Sequence, residues 1–118
     1  MSTTPEELRA KMVQIAGRYL DRVTKEVIQL RGMIDSAAGG DLAVVREIET
    51  LTHRMHGSGA MLQFNEIAER AGELERMAAG FVAAGTFDQP RMLDVFQQLQ
   101  AAIEKALAER SASTGLQP

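Results

Sequence analysis

Residues 51–64 read LTHRMHGSGAMLQF, and they hold both histidines of the chain, His53 and His56, beside the glycines Gly57 and Gly59. Imidazole changes charge near neutral pH, so it can move protons, ligate metals or attack as a neutral nucleophile. A glycine inside a helix costs about 1 kcal/mol relative to alanine. Weak helix formers beside the only near-neutral titrating groups therefore suggest that space around the rings matters. The GSG of 57–59 is not a phosphate-binding loop, because no strand precedes it and no Gly-Lys-Ser/Thr follows. The chain has no cysteine, which removes disulfides, thiol catalysis and thiolate metal sites together.

The elements that must carry these residues are helical. Thr4 before Pro5, Glu6 and Glu7 reads as an N-cap, a first-turn proline and first-turn acids. Leu8, Met12, Ile15, Tyr19, Val23, Val27, Leu30 and Ile34 then recur every three or four residues as one amphipathic stripe. Gly17 is a place where that stripe could divide, leaving a short extra helix at the N-terminus. AAGGD at 37–41 ends one helix and caps the next through Asp41. Val45, Ile48, Leu51 and Met55 mark the second apolar face, and a turn is expected near Gln63-Phe64-Asn65. Ile67, Ala71, Leu74, Ala78 and Phe81 make a third stripe, and AAGTFDQP at 83–90 is a loop whose Pro90 can open the last helix. Met92, Val95, Phe96, Leu99, Ile103 and Leu107 pack that helix. Short connections favour antiparallel neighbours. The expected fold is therefore all-α, an antiparallel up-down four-helix bundle over residues 1–110, with residues 111–118 as a flexible tail.

Composition narrows the function. The 118 residues carry a formal charge of −3 and few aromatic rings (Tyr19, Phe64, Phe81, Phe87 and Phe96), which argues against nucleic-acid binding by charge or stacking. No apolar run reaches the ~18 residues of a membrane span, and the N-terminus has no signal pattern. Cytoplasm is the expected compartment, and a monomer the default for a bundle that buries its own stripes.

Helical phase, at about 100° per residue, places His53 roughly 150° from the apolar direction, out toward water. His56 falls roughly 90° away, on the flank beside His53. Gly57 lies on the exposed side with Ala60 close by. Gly59 faces inward, where the lack of a side chain lets a neighbouring helix approach.

THRMHGSGAMLQFNEIAERAGELE at 52–75 resembles the signature of histidine-containing phosphotransfer (HPt) domains. The match covers roughly a fifth of the chain. The resemblance implies that His53 is the phosphoacceptor, Met55 the apolar residue after it, Gly57 the glycine that leaves room for a partner and Phe64 the aromatic of the turn. It further implies a relay protein that takes a phosphoryl group from a histidine kinase or a receiver aspartate and passes it to a response-regulator aspartate. Such a carrier is not an enzyme in its own right. No cofactor is expected on this chain, and magnesium would sit in the receiver's acidic pocket. Gly57, Ala60 and Met61 are the expected partner contacts. Two positions depart from the family: His56 stands where lysine is usual, and Gln63 where glycine is frequent.

Phosphoryl transfer asks the acceptor for a lone pair in line with phosphorus, and positioning does most of the work. One ring nitrogen must attack while the other is held as N–H by an acceptor. In a hairpin centred on Phe64, His53 and Glu75 lie equally far from the centre, so Glu75 should sit level with the ring. The family's glutamate or glutamine at the matching position accepts that hydrogen bond. Glu49, one turn before His53, is a competitor for it. His56 is expected to touch the phosphoryl group, donating a hydrogen bond when neutral and adding charge when protonated. Two other readings remain: a helical adaptor that works without phosphorylation, and a metal site built on His53 and His56 with Glu49 or Glu75. The expected metal at this site is none.

Overall fold

The computed structural model describes the backbone of residues 3–115 and the side chains of residues 3–112. Among the described residues four helices form, α1 (Pro5–Ser36), α2 (Leu42–Met61), α3 (Asn65–Ala84) and α4 (Gln89–Gly115), with a 3-10 turn at Ala37–Gly39 between α1 and α2. Each packs against its neighbours in the order α1, α2, α3, α4 and back to α1. This is the expected all-α bundle.

Helix starts and stops follow the local chemistry. The Thr4 hydroxyl accepts from the Glu7 N–H (3.1 Å) while the Glu7 carboxylate accepts from the Thr4 N–H (3.4 Å), a reciprocal cap. Asp41 accepts from the Ala43 N–H at 3.0 Å and opens α2. At the end of α2 the Phe64 N–H reaches the Gly59 carbonyl (2.8 Å) and the Gln63 N–H the Ala60 carbonyl (3.2 Å). That Schellman pattern requires a left-handed residue, and Gln63 supplies it with φ 65°. The α3 terminus repeats the pattern with Gly85 (φ 70°) in the same role. The departure from glycine at Gln63 is thus accommodated in the turn that a glycine would favour, at a steric cost of about 1–2 kcal/mol.

Two expectations change. Gly17 does not divide the first helix, so no extra N-terminal helix forms: α1 is continuous over 32 residues. A lone glycine costs too little to end a helix so long, and Arg110 of α4 donates to the Gly17 carbonyl there (3.4 Å). The first stripe is also buried only from Tyr19 onward, because Leu8, Met12 and Ile15 stay exposed. α1 has twelve residues more than the 20-residue α2, an excess of roughly 18 Å. Its N-terminal part therefore projects past the α2–α3 turn. Of the tail placed at 111–118, residues 111–115 continue α4 as helix and 116–118 lie outside the described residues.

The core is a column of Leu30, Ile34, Ile48, Leu51, Met55 and Leu74 closed by Phe96 and Leu99 of α4. At the turn end Tyr19 stacks on Phe64 (centroids 5.1 Å apart) and donates its hydroxyl to the Met55 carbonyl at 3.2 Å. Burial pushes the Tyr19 phenol up to about 12, so it remains a donor. Gly59 is buried beside it: a Cβ there would stand 2.7 Å from the Tyr19 hydroxyl and 3.3 Å from the Ala68 Cβ. Gly59→Ala should lower unfolding free energy by about 1–2 kcal/mol in urea melts despite its better helix propensity. Adding Tyr19→Phe, which deletes the obstructing oxygen, should recover part of the loss. A stabilised single variant would contradict this packing.

Candidate functional site

The site is built on the α2–α3 hairpin. His53 sits mid-helix on α2 with its side chain 72% exposed. His56, one turn on, is 42% exposed and flanks it. Gly57 and Ala60 are exposed on the same side, Met61 is 82% exposed, and a Cβ at Gly57 would meet nothing within 4 Å. Helical phase alone placed His53, His56, Gly57 and Ala60 on this side; Met61 was expected here from the family resemblance.

Glu75 on α3 lies level with His53, as the hairpin register requires. The Nδ1–H of His53 donates to Glu75 Oε2 at 2.6 Å, and the Nδ1–H of His56 donates to Glu75 Oε1 at 3.2 Å. An ionised carboxylate can only accept, so both rings carry their proton on Nδ1 in these bonds. Nε2 of His53 is left with a free lone pair on the solvent side. Glu49 makes no side-chain bond to either ring among the described residues. Burial pushes the Glu75 carboxyl up, but the two imidazole hydrogen bonds, together with the charge the rings carry when protonated, outweigh it and hold it below the usual carboxylate value. The side chain is only 23% exposed, so water screens these bonds weakly.

The structure leaves His56 on the expected flank but gives its ring a partner that sequence reasoning did not, Glu75. A neutral imidazole has one N–H, and here Glu75 takes it. Neutral His56 has no donor left for a phosphoryl oxygen; only the doubly protonated ring would.

Three further features escaped the sequence. Gly72 on α3 faces His56, and a Cβ there would stand 3.1 Å from the ring's Nδ1 and Cε1. Its signal was available, since His56 and Gly72 are equally far from Phe64. Tyr19 read as one more stripe residue, although a buried phenol needs a hydrogen-bond partner. On the α1 side, His53, Gly57 and Met61 share an open groove of about 380 Å³ with Arg22, Glu26 and Arg54. Glu26 lies 3.6 Å from Arg22 and 4.0 Å from Arg54, and its buried Oε1 has no hydrogen-bond partner. The Arg22 pair lies within α1 at a spacing of four, whereas the loose Arg54 pair joins α2 to α1, and no spacing within either helix announces it.

The family model for the Hpt domain matches residues 7–112. This chain belongs to the Hpt domain family. The comparisons with curated proteins and with solved structures give no match. Hpt domains serve histidine phosphotransfer in phosphorelays, as carriers of the phosphoryl group rather than as enzymes. The family interacts with receiver domains and histidine kinases. Among the described residues no helix of this Hpt domain is long and apolar enough to cross a membrane.

The Glu75 bonds give a stability test. Because its folded-state pKa lies below the ordinary 4.5, its charge stabilises the fold fully above that value and the contribution disappears as pH falls through the folded pKa. The unfolding free energy of wild type minus that of Glu75→Ala should therefore shrink in urea melts as pH drops from about 5 to 3. A difference that stays constant over that range would contradict the pairing.

Proposed function

We propose that this Hpt domain carries its phosphoryl group on His53. The observation that carries the reading is the 2.6 Å bond from Nδ1 of a solvent-facing ring to Glu75. It leaves Nε2 as the nucleophile and fixes the ring's tautomer. In the forward step the Nε2 lone pair forms the N–P bond as the bond from phosphorus to a receiver's aspartyl oxygen breaks, and the aspartate leaves as carboxylate. The phosphorylated ring is cationic, and Glu75 stabilises it through Nδ1–H. In the reverse step a receiver aspartate attacks phosphorus and the N–P bond breaks. The transition state is loose, so alignment supplies most of the acceleration.

A receiver domain would dock over the exposed face of α2 and the adjoining part of α1. Gly57, Ala60 and Met61 offer small or apolar contact there. The next groove, about 340 Å³, continues that face through Ile15, Arg18, Met61 and Leu62. Arg18, Arg22 and Arg54 complement a receiver's acidic pocket, where magnesium would be held; His56 would reach the phosphoryl group only when doubly protonated. A histidine kinase is the other donor the family supplies. A cytoplasmic, monomeric protein fits this role. The metal-binding alternative would need further ligands beside the two rings, and among the described residues no group of three His, Asp or Glu side chains is placed to hold an ion.

Incubation with phosphorylated receiver domains, followed by mass spectrometry, should show an acid-labile phosphate on the wild type and none on His53→Gln. Phosphate retained by His53→Gln would overturn the assignment. A His53→Gln variant that signals normally in cells would instead favour the adaptor.

Gly57 separates fold from function. Gly57→Leu should match or exceed wild-type stability by up to about 1 kcal/mol, since leucine is the better helix former and the space is open. It should nevertheless slow receiver-dependent transfer by about tenfold or more, because its side chain occupies the approach to the ring. Unchanged transfer would show that the partner does not come close there.

A further inference from the structure

As a neutral ring His56 has no N–H to offer the phosphoryl group, yet it is closely seated. α3 presents Gly72 directly to its ring, with a virtual Cβ only 3.1 Å from two ring atoms and 3.3 Å from a third. Any other residue at position 72 would displace the imidazole by a few tenths of an ångström. Seated on that glycine, the ring directs Nδ1–H to Glu75 Oε1 at 3.2 Å. The other oxygen of the same carboxylate receives His53 at 2.6 Å.

We propose that His56 is a positioning residue for His53: by holding Oε1 of Glu75 it keeps Oε2 on the Nδ1–H of His53, with Nε2 free to attack. The proposal rests on His53 as the phosphoryl carrier.

The two rings could compete for Glu75 or cooperate through it, and the geometry decides. Each takes a different oxygen, so neither displaces the other. A glutamate has three side-chain torsions before its carboxylate, and one hydrogen bond leaves that plane free to turn. A second bond at the opposite oxygen stops the rotation. Among the described residues no other charged side chain bonds either ring: Glu75 is the partner from α3, and Arg22, Glu26 and Arg54 border His53 from the groove on the far side. As a neutral ring His56 has no N–H to spare for a phosphoryl oxygen, so its influence on transfer passes through Glu75.

The test uses asparagine, whose amide nitrogen falls near the place of a histidine Nδ1, against leucine, which fills the seat without a donor. Nitrogen-15 NMR of the ring nitrogens reads the His53 tautomer in the unphosphorylated protein. Phosphoramidate, a small phosphoryl donor, reads reactivity without a protein partner. In wild type, His53 should be held as the Nδ1–H tautomer. His56→Leu should mix in the Nε2–H tautomer and slow phosphorylation by about tenfold, the low end of the loss when a partner orienting a metal-ligating imidazole is removed. His56→Asn should restore both readouts to near wild type. If His56→Leu leaves tautomer and rate unchanged, or speeds the reaction, the proposal is overturned; so it is if asparagine fails to rescue a folded protein. Should the leucine variant not fold, Gly72→Ala, which only displaces the ring, should move both readouts in the same direction, and no movement overturns the proposal. The tautomer arm stands apart from phosphorylation. If wild-type His53 takes no phosphate while its tautomer still follows residue 56, the carrier reading fails and the positioning role survives.

Discussion

The register of the α2–α3 hairpin is the constraint on which the site depends. Sliding one helix by a single residue would move a side chain about 1.5 Å along the axis and about 100° around it. A 2.6 Å hydrogen bond between the helices does not survive that. The turn therefore carries more responsibility than a connector usually does. Gln63 accepts a left-handed conformation, Phe64 closes the pattern onto Gly59, and the Phe64 ring stacks on Tyr19 of a third helix. Together these features tie the hairpin's end to α1, and His53 meets Glu75 eleven residues away on each side.

Three glycines near the site serve three needs, which explains why a helical segment tolerates them. Gly59 admits the Tyr19 hydroxyl and the α3 backbone at the buried seam. Gly72 admits the His56 ring from across the hairpin. Gly57 admits nothing in this chain and faces open solvent. The first two are requirements of packing, whereas no packing within the chain requires the third. A reactive ring on a rigid helix, with clear space beside it, suits a carrier that must meet more than one partner. An enclosed pocket would suit an enzyme better.

Much of this was legible in the sequence. The period of the apolar residues located all four helices and turned His53 outward, and counting from Phe64 paired it with Glu75. The periodicity failed for Leu8, Met12 and Ile15, because a stripe reports that a helix has an apolar face but not how far its neighbours extend along it. Gly17 misled in a related way, since whether a glycine breaks a helix depends on what packs beside it. The contact of His56 with Glu75 was hidden by analogy: a residue in a lysine's place was read for the lysine's task. Arg22 and Glu26 stand four apart on α1, but the Arg54 contact that brings α2 to them has no shared spacing to show it.

The central claim is that His53 offers Nε2 because Nδ1 is committed to Glu75. Phosphorus-31 and nitrogen-15 NMR of the phosphorylated protein would locate the N–P bond directly. The account predicts a single phosphohistidine, at His53, bonded through Nε2. Phosphate on Nδ1 of His53, or on His56, would contradict it.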